Sequence, residues 1–253
     1  GATFAIPAII GIVYDEAAAF SFIYSMLITM GTGLLLWISC RKNHPQLRIR
    51  DGFIITASFW MVLSLFAALP FMLAPSLGLP FIDAIFESIS GLTTTGATVL
   101  SGLDYLDHSI LFYRQLLQWL GGMGIVVLAV AILPALGVGG MQLYKTETPG
   151  TSSNKDNKLT PKITETAQAL WYIYLGITIV CALCYWIAGM SVFDAICHSF
   201  STIAIGGFST HDLSMGYFQS STINIIASIF MFIAAVNFSL HFFAWKNTKI
   251  KHY

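Results

Sequence analysis

Charge is what this chain has least of. Its 12 Lys and Arg and 12 Asp and Glu make up only 9% of 253 residues, where a soluble domain carries about 25%. Catalytic signatures are missing too. No Cys/His cluster has zinc-ligand spacing, and neither a Gly-rich phosphate loop nor a nucleophile elbow occurs. The expectation is a protein that is not an enzyme and takes no organic cofactor. Without a basic tract or basic-aromatic stripe, nucleic acid is not an expected partner. The four cysteines, Cys40, Cys181, Cys184 and Cys197, lie in or beside apolar runs. Cys181-Ala182-Leu183-Cys184 has redox-motif spacing, but sits mid-run with no helix N-terminus or base to lower a thiol pKa. These cysteines read as small buried residues. No basic n-region or small-residue cleavage pattern marks a secretory signal at Gly1. The expectation is a chain cut within a first transmembrane helix.

Apolar residues fill the space that charge leaves. They are 56% of the chain and form runs longer than the roughly 20 residues a bilayer requires. An all-α membrane protein is expected, with membrane lipid as a partner. Residues 1–40 read as N-terminal transmembrane helices, the first truncated. A first helix–pore-loop–helix repeat covers 53–136, a cytoplasmic linker 137–166, a second repeat 167–245, and a cytoplasmic tail 246–253.

The repeats are visible in the residues. Asp83-Ala84-Ile85-Phe86-Glu87-Ser88-Ile89-Ser90-Gly91-Leu92-Thr93-Thr94-Thr95-Gly96-Ala97-Thr98 returns without a gap as Asp194-Ala195-Ile196-Cys197-His198-Ser199-Phe200-Ser201-Thr202-Ile203-Ala204-Ile205-Gly206-Gly207-Phe208-Ser209. Gly96 falls on Gly207. Each copy is a short half-apolar helix followed by a Thr- or Gly-containing loop. About 12 helical residues rise roughly 18 Å, half-way through hydrocarbon.

The bases orient the spans. Arg41, Lys42, Arg48 and Arg50 lie in one loop, Lys145, Lys155, Lys158 and Lys162 in the next, and Lys246, Lys249 and Lys251 in the tail. All three fall on one side of the drawn topology, which the positive-inside rule makes cytoplasmic. Both repeats then run the same way, as parallel repeats about an axis along the membrane normal.

Irregular backbone at membrane depth is tolerated where it is buried in protein or lines a water-filled cavity. The C-terminal end of a half-helix carries about half a negative charge, which favours a cation. Loop carbonyls can replace an ion's hydration shell. Thr94, Thr95 and Gly96 in one repeat, and Ile205, Gly206 and Gly207 in the other, are the candidate residues. A tight glycine turn closing a helical hairpin is the plainer alternative. Asp83 and Asp194 open the half-helices, where an acid offsets the dipole and caps free N–H groups. Glu87 and Arg114 are costly inside a membrane and are expected to pair. Glu87 aligns with His198, which argues against a ring of acids. Asp104, Asp107 and Asp212 lie near the external mouth. Gly121, Gly122 and Gly124 are expected to let helices pack closely.

Several stretches together resemble one family. They are Gly91 to Thr98, Tyr113-Arg114-Gln115 with Gln118-Trp119 and Gly121-Gly122-Met123-Gly124, Leu136 to Leu143, and His198 to Asp212. They resemble the Trk/Ktr/HKT superfamily of potassium-uptake membrane subunits over essentially the whole chain. The resemblance implies a potassium-channel-like fold with four helix–pore-loop–helix repeats around one pore. Two of those four are present, so the missing third and fourth repeats would be partners and the chain a fragment. It implies filter glycines at Gly96 and Gly207, and K⁺ bound by carbonyls of Thr94, Thr95, Ile205 and Gly206. It implies potassium uptake across the bacterial cell inner membrane by a multi-pass protein, working as a homodimer with a cytosolic nucleotide-binding regulatory subunit. Channel-like flow and ion-coupled symport both occur in that family. A non-conducting scaffold and a secondary carrier with broken helices are the rival readings.

Overall fold

The computed structural model describes residues 1–41, 49–127 and 159–236. The linker from 137 to 158, the stretch 237–245 of the last expected span, and the tail lie outside the described residues. So do most of the lysines that orient the spans.

The described residues are helical, with no strand among them. We number the helices α1 (Ala5–Val13), α2 (Ala18–Cys40), α3 (Ile49–Ala67), α4 (Leu69–Leu73), α5 (Phe81–Leu92), α6 (His108–Val127), α7 (Leu159–Ile187), α8 (Val192–Ala204) and α9 (Ser221–Ala235). The stretch 18–40 and the part of α7 from Ala167 to Ile187 are long and apolar enough to cross a membrane. Only 22% and 28% of their apolar windows are buried, so they are not the core helices of a soluble domain.

Two apolar runs within the expected repeats break their helices. The stretch from Phe53 to Leu73 breaks at Ala68, where Pro70 enters the first turn of α4. Pro at that position gives up an N–H that is orphaned in any helix. The last span ends its helix at Ala235, and Val236 is extended at ψ 138. No proline or glycine at that point requires the break.

Helix α6 is the axis of packing. Phe112, Leu116, Trp119 and Met123 recur at helical spacing and bury in the cluster that α6 shares with α7 and α8. Ile110, Tyr113 and Leu117 form a second face against α1, α2, α4 and α5. Tyr113 donates its hydroxyl to the Ala67 carbonyl at 2.8 Å, satisfying backbone at the α3–α4 break. Trp119 donates Nε1–H to Thr178 at 3.0 Å on α7. A third face of α6 is polar and also buried: Arg114, Gln115 and Gln118. From that face Arg114 and Gln118 reach the loops after α5 and α8.

Glycine decides how close these helices come. A Cβ at Gly121 would stand 1.9 Å from the Leu92 carbonyl oxygen, at the end of α5. One at Gly122 would stand 2.7 Å from the Tyr174 hydroxyl and 3.1 Å from the Ala204 Cβ. The close packing expected of these glycines is therefore present, and it seats α6 against the ends of both short helices.

Candidate functional site: two matched helix ends and the loops that follow

Helices α5 and α8 bury the same face. Ala84, Glu87, Ser88 and Gly91 are buried on one, Ala195, His198, Ser199 and Thr202 on the other. Both end in the same closure. Thr95 N–H donates to the Ser90 carbonyl at 2.9 Å and Thr94 N–H to Gly91 at 3.0 Å. Gly206 N–H donates to Ser201 at 2.8 Å and Ile205 N–H to Thr202 at 3.1 Å. This six-to-one and five-to-two pair is a Schellman closure, whose turning residue is left-handed and usually glycine. Here it is Thr94, at φ 55, and Ile205, at φ 53. A β-branched residue in that region is an outlier and costs about 1–2 kcal/mol. The same cost recurs at the same place in both repeats. Two residues on, Gly96 and Gly207 are left-handed again, at φ 78 and 84.

The two loops touch. A Cβ added to Gly96 would lie 2.0 Å from the Gly206 carbonyl oxygen and 3.5 Å from the Gly207 Cα. Among the described residues, no hydrogen bond reaches the carbonyls of Thr94, Thr95, Ile205 or Gly206. The structure thus brings all six loop residues singled out by the sequence to one place, beyond the C-terminal ends of two short helices.

Polar side chains back these loops. Glu87 on α5 accepts from the Thr98 hydroxyl at 2.9 and 3.0 Å and from Val99 N–H at 3.2 Å. His198, its equivalent on α8, pairs Nε2 with the Ser209 hydroxyl at 3.0 Å. Each pair spans eleven residues, so one device ties helix to loop in both repeats with different chemistry. Arg114 forms the expected ion pair, Nε to Glu87 Oε1 at 2.7 Å, with both side chains buried. It also donates Nη1 to the Ser209 carbonyl at 3.1 Å and Nη2 to the Thr98 hydroxyl at 3.0 Å. Its guanidinium lies 4.3 Å over the Phe208 ring. Gln118 accepts from Phe208 N–H at 3.2 Å, and a Cβ at Gly206 would stand 2.3 Å from its amide carbon. The roles of Gln118 and of His198 with Ser209 were not read from sequence. The alignment of Glu87 with His198 and of Thr98 with Ser209 contained the signal for the latter.

The two opening acids differ. Asp194 N–H donates to the Ser191 hydroxyl at 3.0 Å, a helix cap, while the Asp194 carboxylate accepts from Ser191 at 2.7 Å and Thr210 at 2.7 Å. Asp83 stands in the first turn of α5 and has no side-chain hydrogen bond among the described residues. The loops beyond the filter candidates are clipped together. His211 Nδ1 meets Asp104 Oδ1 at 2.5 Å, and Gly102 N–H donates to Asp212 at 3.0 Å. The hydrogen bond from His211 holds the Asp104 carboxyl below the usual carboxylate range. Asp107 accepts from Ser76 at 2.5 Å. Of the acids assigned to an external mouth, Asp104 and Asp212 join the two repeats, and Asp107 does not.

Long, largely unburied apolar helices around two matched helix–loop units define a helical membrane protein. Comparison with known proteins gives the family. The model of the TrkH family, described as cation transport protein, matches residues 18–253. The Trk system potassium uptake protein TrkH of Halomonas elongata is 58% identical over 247 residues, 98% of this chain and 51% of that protein. TrkH of Escherichia coli K12 is 55% identical over 251 residues, 99% of this chain and 52% of that one. The crystal structure of the potassium transporter TrkH from Vibrio parahaemolyticus superposes with a TM-score of 0.84 at 51% identity, covering 97% of this chain and 49% of that one. The chain belongs to the TrkH cation transport family, whose relatives here are transporters rather than enzymes. It spans about half the length of the curated relatives it matches.

Proposed function

We propose that this chain forms half of a potassium pathway, in which carbonyls of Thr94, Thr95, Ile205 and Gly206 take the place of the ion's water. The observation that carries this reading is the matched closure of α5 and α8. Each ends in a strained left-handed residue, and among the described residues no hydrogen bond satisfies the carbonyls of Thr94, Thr95, Ile205 and Gly206. A scaffold has no use for the same strain at equivalent positions. A cation has: the helix ends present partial negative charge to it, and free carbonyls complete its shell. In this reading α5 and α8 are re-entrant half-helices of two parallel repeats in a multi-pass protein of the bacterial inner membrane. Two further repeats supply the other half of the carbonyl ring. Homodimerisation and a nucleotide-binding regulatory partner belong to the same proposal. Potassium is the cargo because the relatives are named potassium uptake proteins.

The test is complementation. The complete protein restores growth of potassium-uptake-deficient cells at low potassium, and the isolated segment 1–253 does not. Failure of the complete protein to restore growth overturns the function. Rescue by the isolated segment overturns the half-ring.

A further inference from the structure

We infer that Arg114 is the positioning residue that sets the spacing of the two loops, and so the cation selectivity of the pathway proposed above, on which this inference rests. Three of its nitrogens are committed, each to a different piece of chain. Nε binds Glu87 on α5, Nη2 the hydroxyl of Thr98 after the first loop, and Nη1 the carbonyl of Ser209 after the second. Thr98 and Ser209 are equivalent in the repeat, each two residues beyond its glycine. One rigid plane therefore holds the same point of both loops. The Phe208 ring closes one face of that plane at 4.3 Å.

Stability does not explain such a group. Replacing a buried ion pair by apolar residues of similar volume is often neutral or stabilising. What an apolar pair lacks is direction. The guanidinium offers donors in a fixed fork, whereas an ammonium is a point charge on a flexible stem. Arg114 is fully buried, so it does not serve as a surface charge. Its pairing with Glu87 also cancels a positive charge that would otherwise repel a cation in the loops. The second repeat uses His198 and Ser209 for its own helix-to-loop tie. Among the described residues, the guanidinium brace between the loops comes from the first repeat.

The experiment compares rubidium and sodium uptake by matched membrane amounts of the complete protein. Arg114→Lys keeps the charge and loses the fork, and lowers the preference for rubidium by about tenfold (about 1.4 kcal/mol). Thr98→Val, which removes one anchor, acts in the same direction, and Thr98→Ser restores the preference. The double variant Glu87→Leu with Arg114→Met keeps the volume and removes both charges. It accumulates in the membrane yet shows the same loss, which covers the case that Arg114→Lys does not fold. Wild-type preference in Arg114→Lys or in the double variant overturns the brace. A wild-type protein that itself does not prefer rubidium to sodium overturns the filter reading instead, so the two failures are distinct.

Discussion

The Cα of Gly96 sits against the carbonyl oxygen of Gly206, so close that a Cβ would stand 2.0 Å from it. The neighbour is backbone, with no flexible side chain to swing aside. Around Gly207, by contrast, an added Cβ meets nothing within 4 Å among the described residues. Both glycines hold a left-handed φ, which any side chain disfavours, so the two positions differ in crowding rather than in strain.

Gly96→Ser therefore displaces the Gly206 carbonyl and weakens the preference for potassium over sodium, while Thr95→Ala does less because it keeps its backbone carbonyl. Rubidium and sodium uptake at matched membrane amounts measures this. Wild-type selectivity in Gly96→Ser, with loss in Thr95→Ala, shifts the site from carbonyls to side chains.

Ile205→Gly removes the strain at the end of α8. Ile205 is 47% exposed, so little packing is forfeited. Relief of about 1–2 kcal/mol at the left-handed position outweighs the roughly 0.5–1 kcal/mol of extra chain entropy that glycine loses on folding. The melting temperature of the purified variant in detergent stays level or rises. A clear fall refutes the strain.

Gly121→Ala drives a methyl into the Leu92 carbonyl. Overpacking of this kind costs about 1–3 kcal/mol, and here the obstacle is helix backbone. Reduced yield and an earlier thermal transition are expected. A Gly33→Ala control, where a Cβ has open space, shows neither change.

Glu87→Gln leaves the buried Arg114 charge uncompensated. Breaking one side of such a pair costs about 3–5 kcal/mol, so this single variant is less stable than the Glu87→Leu, Arg114→Met double variant. Thermal denaturation of the two side by side decides the order. The reverse order removes the electrostatic account of Glu87.

Topology has its own test. A single cysteine at the exposed Ser101 in a cysteine-free background reacts with an impermeant thiol reagent from outside. One at Ser153, in the lysine-bearing linker, does not. Reaction at Ser153 alone inverts the positive-inside assignment.

Hydropathy and repetition belong to the chain before it folds, and they were enough for the apolar helical runs, for the two short segments α5 and α8, and for the equivalence of Gly96 with Gly207, but not for the breaks at Ala68 and Val236. Helix ends along these runs follow local rules, which is why the short helix of about 12 residues expected in the first repeat is met by the 12 residues of α5. Glu87 and Arg114 were legible as partners because a membrane interior leaves two such charges little else to do. The rest required packing. No local pattern marks Thr94 and Ile205 as left-handed, since propensity puts glycine there; the surrounding contacts override it. Arg114 reaches Ser209, and Gln118 the amide of Phe208, across 95 and 90 residues. His211 finds Asp104 across 107. Those distances close only when the glycines of α6 let it lie against the ends of both short helices. The sequence therefore determined which pieces exist, because each piece answers to its own hydrophobicity and capping. Only the tertiary structure decided which polar groups meet, because a buried polar atom takes whatever partner the packing brings within reach.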